Sequence, residues 1–205
     1  MSAEPDLKSL QRWTLAVTGA SGSVFAAEML RALVADVRVS RIDVIVSDAA
    51  LRVIAEELKL NGRSGVVETL SGGATEKVVQ HPEGDIGASV ASGSYASAGM
   101  IVLPCTMGTL AGIANGMASN LIERAADVCL KEGRRLVLCV RETPFNRIHL
   151  RNMQLASDAG ATIFPVIPTF YNKPQDSTEM ARQFANRVLA HVGLPQSGAY
   201  EWKGE

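Results

Sequence analysis

Residues 88–122 read ASVASGSYASAGMIVLPCTMGTLAGIANGMASNLI. No Asp, Glu, Lys, Arg or His interrupts them, although 20% of the 205-residue chain is charged. In the middle, Met100-Ile-Val-Leu103 is a short apolar run with β-branched residues, closed by Pro104. That pattern predicts a strand buried on both faces. Ser92-Gly93-Ser94 precedes the run, and Cys105-Thr106-Met107-Gly108-Thr109 follows it. Glycines and small hydroxyls let backbone amides and side-chain oxygens approach a ligand closely. The same composition also suits tight packing between helices or subunits, and the stretch by itself leaves both readings open.

Working outward, Trp13-Thr-Leu-Ala-Val17 predicts a first strand, Thr18-Gly-Ala-Ser-Gly-Ser23 a turn, and VFAAEMLRALVADV a helix. Strand, glycine-rich turn and helix open a nucleotide-binding α/β fold. The turn fits neither GxxxxGK[ST] nor GxGxxG. It still places Ser21 and Ser23 at a helix N-terminus, where free N–H groups and the helix dipole favour a phosphate; with no ligand, Ser23 would serve as the N-cap. Arg41–Val46 predicts the second strand, and Ser47-Asp48 caps a helix from Ala49 to Leu60. Glu56 and Glu57 on that helix read by position as solvated charges. Residues 61–87, broken by six glycines, predict an irregular excursion over the ligand edge or an interface, with a strand at Thr75–Gln80.

Beyond the central strand, a helix is expected from near Thr109, and Leu121–Glu132 continues as an amphipathic helix ending at Gly133. Leu136–Val140 predicts a buried strand that empties onto Arg141-Glu142-Thr143-Pro144. Asn146–Gly160 predicts a helix, Thr162–Val166 a last strand, and Ser177 to about His191 a final helix carrying Arg182 and Arg187. Strands alternating with helices throughout predict an α/β fold: one doubly wound parallel sheet in a single domain. Residues 1–12 read as a loose arm, 13–194 as the domain and 195–205 as a tail.

Composition narrows the function. A net charge of −1 gives no sign of a nucleic-acid or acidic-membrane surface. Three cysteines (Cys105, Cys129 and Cys139) form no CxxC pair and no even framework, which fits a reducing, cytoplasmic setting. Three scattered histidines offer no metal-ligand spacing. The polar start is no signal peptide, and Pro104 with its many Ser, Gly and Asn neighbours argues against a membrane span. Several groups are expected at the carboxyl edge of the sheet: Thr18 to Ser23, Ser47, the 92–94 and 105–109 turns, Arg141, Glu142 and Tyr171. That set is rich in hydroxyls and glycines and holds cations, but lacks GxSxG and any His beside a candidate Ser. It suits a phosphorylated cofactor that supplies the chemistry itself.

The motifs TGASG at 18–22, SDAA at 47–50, ASGS at 91–94, LPCTMGTLAGIANG at 103–116, NLIERAADVCLKE at 120–132, RETPFNRIHLRNM at 141–153 and FYNKPQ at 170–175 resemble the flavin prenyltransferase (UbiX-like) family, from Trp13 to Leu194. The resemblance implies a flavodoxin-like or Rossmann-like subunit in a homododecamer, with FMN bound between subunits. It implies metal-independent joining of a dimethylallyl group, from dimethylallyl phosphate, to N5 and C6 of reduced FMN. Prenylated FMN would then serve a UbiD-type decarboxylase. It assigns Gly19, Ala20, Ser21, Ser47, Ser92, Cys105, Thr106, Met107, Gly108 and Arg141 to the flavin. Lys131, Arg141, Tyr171 and Arg187 go to the dimethylallyl phosphate, and Glu142, Ser21 and Glu57 to catalysis. This reverses the default for Glu57. Some members carry a Trp six residues before the SGS turn; Ile86 stands here and implies a changed apolar wall with the activity kept. Asp48 stands where a Lys is common.

Two other readings share the fold. An FMN-dependent cysteine decarboxylase should carry a catalytic His in the early helix, and residues 24–35 have none. A non-catalytic FMN carrier subunit of a decarboxylase would not need Lys131, Arg141, Tyr171 and Arg187 together.

Overall fold

The computed structural model describes residues 10–59 and 65–199. Six strands form one parallel sheet: β1 (Gln11–Val17), β2 (Val39–Val46), β3 (Val78–Pro82), β4 (Gly99–Cys105), β5 (Arg135–Val140) and β6 (Thr162–Ile163). Their order is β3-β2-β1-β4-β5-β6, the Rossmann arrangement, with its switch point between β1 and β4. Seven helices flank the sheet: α1 (Ser23–Ala35), α2 (Asp48–Glu57), α3 (Val66–Ser71), α4 (Met107–Ala114), α5 (Leu121–Lys131), α6 (Arg147–Asp158) and α7 (Ser177–His191).

The alternation of side chains along each strand divides the core in two. Trp13, Leu15, Ile101, Leu103, Val137 and Cys139 face one side, against α1, α2, α3 and α7. Ala16, Met100, Val102, Leu136 and Leu138 face the other, against α4, α5 and α6. Burial on both faces is why these strands read as continuous apolar runs. Among the described residues, no helix is long and apolar enough to cross a membrane.

The structure corrects several expectations. Pro104 does not close the central strand, because β4 runs on to Cys105. The β4–β5 register shifts between Val102 and Cys105, which leaves room for a residue that donates no N–H. Its carbonyl instead accepts from the Thr18 backbone (3.2 Å) and from Thr18 Oγ1 (2.7 Å). The 61–87 excursion contains α3 and an edge strand, β3, that starts three residues later than expected and ends in Pro82. An edge position tolerates proline because one side of the strand has no partner. Leu60 to Ser64, within that stretch and at the expected end of the second helix, lie outside the described residues.

Gln11 and Arg12 belong to β1 and not to the arm, residues 1–9 of which lie outside the described residues. At the other end, Pro195 and Gln196 are docked. Arg38 Nη2 donates to the Pro195 carbonyl at 2.9 Å, and Gln196 Nε2 donates to Asp36 Oδ2 at 2.9 Å; residues 200–205 lie outside the described residues. Asp176, not Ser177, caps α7 by accepting from Glu179 N.

Candidate active site

The first half of the site lies at the carboxyl ends of β1, β2, β4 and β5. Thr18 joins the first and third of these. Its Oγ1, buried, donates to the Pro104 carbonyl and accepts the Thr106 N–H at 2.9 Å. Thr106 caps α4 by accepting from Thr109 N, so the helix begins two residues before the expected Thr109. Met107 and Gly108 form its first turn, with Gly108 exposed. Ser47 Oγ caps α2 by accepting from Ala50 N at 3.1 Å. Arg141 N–H donates to the Cys105 carbonyl at 3.1 Å, which brings Arg141 and exposed Glu142 beside the α4 turn; Glu142 Oε1 accepts from Thr143 N. Cys105 itself is fully buried, and burial pushes its thiol up to about 12. It therefore offers a ligand its backbone, not a thiolate.

At the first turn, Ser23 is not the cap. The N-cap is Gly22, at φ 121°, and it has no side chain to cap with. The carboxylate of Glu57 takes that place. Its oxygens accept the Gly22 N–H at 3.1 Å, and Oε2 accepts the Ser23 N–H at 2.7 Å. The N-terminus of α1, expected to hold a phosphate, is thus filled by the chain's own anion. Burial acts to raise the Glu57 carboxyl, but hydrogen bonds from the Ser23 and Ser21 hydroxyls and from the Ser23 and Gly22 backbone outweigh it and hold it below its usual range. Ser21, Gly22 and Glu57 line a cavity of ≈ 480 Å³ with Ser177 and Thr178. Two of the predicted catalytic residues, Ser21 and Glu57, are therefore in contact, while Gly19 and Ala20 lie half-buried in the same turn.

The rest of the predicted set lies elsewhere. The Ser92–Ser94 turn is not at the carboxyl edge. It precedes β4 and packs at the amino edge, where Arg134 at the mouth of β5 donates to the Gly93 carbonyl at 2.5 Å and to the Tyr95 carbonyl at 2.8 Å. Arg124 of α5 donates to the Ala91 carbonyl at 3.1 Å. Lys131, at the end of α5, pairs with Glu132, and both press on this turn: a Cβ on Gly93 would collide with Glu132 Oε1 and Lys131 Nζ. Tyr171 and Arg187 line a third place, a cavity of ≈ 420 Å³ shared with Asn172, Gln183, Asn186 and the tail residues Pro195 and Gln196. Lys131 ends a helix on one face of the sheet, and Arg187 sits in a helix on the other. One chain therefore does not bring Lys131, Arg141, Tyr171 and Arg187 together. Among the described residues, no group of three or more His, Cys, Asp or Glu could hold a metal ion.

Sequence reasoning missed Arg124, Arg134 and Tyr95, which fix the SGS turn. The charged pair Arg134-Arg135 before a buried strand was the available signal for one of them.

A family model described as Flavoprotein matches residues 1–189. Flavin prenyltransferase UbiX of Salmonella typhimurium (strain LT2) is 40% identical over 197 residues, which are 95% of this chain and 100% of the relative. A dodecameric FMN-dependent UbiX-like decarboxylase from Escherichia coli O157:H7 superposes with a TM-score of 0.84 at 38% identity, covering 95% of this chain and 100% of that one. AnUbiX (PadA1), solved with FMN and dimethylallyl pyrophosphate, also gives 0.84 at 38% identity, covering 96% of this chain and 99% of that one. Strand ends joined by Thr18 at the β1–β4 switch point, a Ser–Glu contact beside them, and this degree of likeness over nearly the whole length lead to one statement: the chain belongs to the flavin prenyltransferase (UbiX) family of flavoproteins.

Proposed function

We infer that residues 13–194 form a flavin prenyltransferase unit that joins the dimethylallyl group of dimethylallyl phosphate to reduced FMN. The observation that carries this reading is the joint by which Thr18 ties the ends of β1 and β4 and Arg141 is tied to Cys105, which gathers the Thr106–Gly108 turn, Arg141 and Glu142 at the carboxyl edge that also carries Ser21 and Ser47. Neutral hydroxyls and backbone amides on a topological switch point fit a flavin. When bound, reduced FMN supplies the electron-rich ring that accepts the prenyl group.

The chain's own residues do the remaining work. Lys131, Arg141 and Arg187, with the Tyr171 hydroxyl, hold the phosphate. They stabilise the charge it gains as the allylic C–O bond breaks, and they do so without reorganising. Glu57 orients Ser21 against the flavin. Glu142, exposed at the end of β5, takes the proton lost from the ring. Holding acceptor and donor together removes the entropic cost of their encounter. Because the four phosphate-holding residues are dispersed within one chain, the site is completed by other copies in a homododecamer, the state of the E. coli O157:H7 structure. The product serves a UbiD-type decarboxylase. The setting is the cytoplasm, consistent with three free, buried cysteines.

The test is anaerobic turnover with FMN, a reductant and either dimethylallyl phosphate or the diphosphate, followed by mass spectrometry of the extracted flavin. The reading predicts a flavin heavier by one five-carbon prenyl unit with the monophosphate, and its loss in Arg187→Ala. Bound but unaltered FMN with both donors overturns it in favour of a carrier or a decarboxylase.

A further inference from the structure

Asp43 lies in the middle of β2, fully buried, on the sheet face that carries Ile45. A buried carboxylate persists only when its oxygens are satisfied. Oδ1 is met by Arg41 Nε at 3.0 Å, Arg41 Nη2 at 2.9 Å and His81 Nε2 at 2.8 Å. On Oδ2 the bond is from the Tyr95 hydroxyl, at 2.7 Å. Burial, then the Asp43 carboxylate, push the Tyr95 phenol up, so the hydroxyl stays protonated and donates. Arg12 stands over the Tyr95 ring, 5.3 Å from its centre. Tyr95 directly follows Ser92-Gly93-Ser94, and Arg134 holds the carbonyls of Gly93 and Tyr95. Gly93 in turn touches the ends of Lys131 and Glu132. A chain of contacts thus runs from a carboxylate inside the sheet, through one tyrosine, to the turn and to the lysine assigned to the donor phosphate.

We propose that Asp43, acting through Tyr95, is a positioning residue that sets where the Ser92–Ser94 turn and Lys131 are presented to the flavin and its phosphate donor. This rests on the proposed function. Asp43 is fully buried inside the sheet and acts only through its neighbours. Of its other partners, Arg41 of β2 also interacts with the Tyr95 hydroxyl, whereas His81 of β3 holds only the carboxylate, so His81 marks a structural side of Asp43 and Tyr95 a positioning side.

That separation supplies the experiment, on the full-length assembled protein. Tyr95→Phe and His81→Gln each remove or alter one donor to the same carboxylate, but only the first lies on the path to the turn. FMN affinity is measured by quenching of flavin fluorescence, KM and kcat by prenyl transfer from dimethylallyl phosphate, and backbone opening by amide hydrogen exchange over residues 91–97. Tyr95→Phe is expected to weaken FMN binding roughly tenfold, as loss of a bond to a charged acceptor implies, to raise KM for the donor and to speed exchange at 91–97. His81→Gln is expected to leave all three within about twofold while lowering the melting temperature. Asp43→Asn, where it assembles, should follow Tyr95→Phe; where it does not assemble, Tyr95→Phe decides. If the wild type binds FMN and transfers the prenyl group but the two variants behave alike, the positioning role is overturned. If the wild type neither binds FMN nor transfers, the function itself fails, and this role with it.

Discussion

Glu57 caps a helix that begins 34 residues before it, and the same carboxylate touches Ser21. Replacing it with Gln removes the charge that complements the α1 dipole while keeping one acceptor. We expect a loss of about 1 kcal/mol, read from the unfolding midpoint, together with slower prenyl transfer as Ser21 loses its charged partner. The pH dependence has a definite sign. A carboxyl held below its usual range stabilises the fold above its unfolded value and ceases to do so as pH falls through the folded one. Asp36 makes the larger case. Burial opposes it, yet the Arg38 side chain and N–H and the Gln196 amide bring it from 3.8 to about 2. Its contribution is therefore full above pH 4 or so and is lost on the way to about pH 2. Because Arg38 is 37% exposed, we put that contribution at about 1–2 kcal/mol. Asp36→Asn should flatten the acid limb of a stability–pH curve by that amount. An unchanged limb would show that the Arg38–Asp36–Gln196 contact contributes nothing in solution.

Between elements, the joint that matters is the one Thr18 makes from β1 to β4. Thr18→Val keeps the volume and removes the hydroxyl, leaving the Thr106 N–H at the start of α4 without its acceptor. We expect about 1–3 kcal/mol of destabilisation by denaturant unfolding and weaker FMN binding; full stability would mean the two strand ends hold register without it. Elements were legible in the sequence where burial on both faces made strands uniformly apolar, as in Leu136–Val140, and where a cap residue stood ahead of an apolar period, as at Ser47. They were obscure where geometry ran against composition. Pro104 lies within a central strand because a register shift accommodates it. Val78–Pro82 is half-exposed at an edge and carries little apolar signal. The Ser92–Ser94 turn was assigned to the wrong end of the sheet, although a segment leading into a parallel strand must lie at its amino edge. Contacts such as Tyr95 with Asp43, 52 residues apart, leave no local pattern at all, and the same is true of Glu57 with Gly22.

Across the whole molecule, the candidate groups fall at three places: the carboxyl-edge strand ends with Arg141 and Glu142, the amino-edge turn with Lys131, and the α7 cavity with Tyr171 and Arg187. A reaction that needs all of them needs more than one copy of the chain. The exposed apolar side chains Phe145, Ile148 and Leu150 at and within α6, and Ile167 and Phe170 beyond β6, are consistent with such contacts. The most direct test uses two variants expected to be inactive alone, Lys131→Ala and Arg187→Ala, unfolded together and reassembled as mixed oligomers. Prenylated FMN is then measured by mass. The account predicts that product formation returns in the mixture and not in either variant reassembled alone, because some sites draw Lys131 from one chain and Arg187 from another. A mixture as inactive as its parents, when wild-type protein carried through the same procedure regains activity, would contradict a prenyl-transfer site shared between chains.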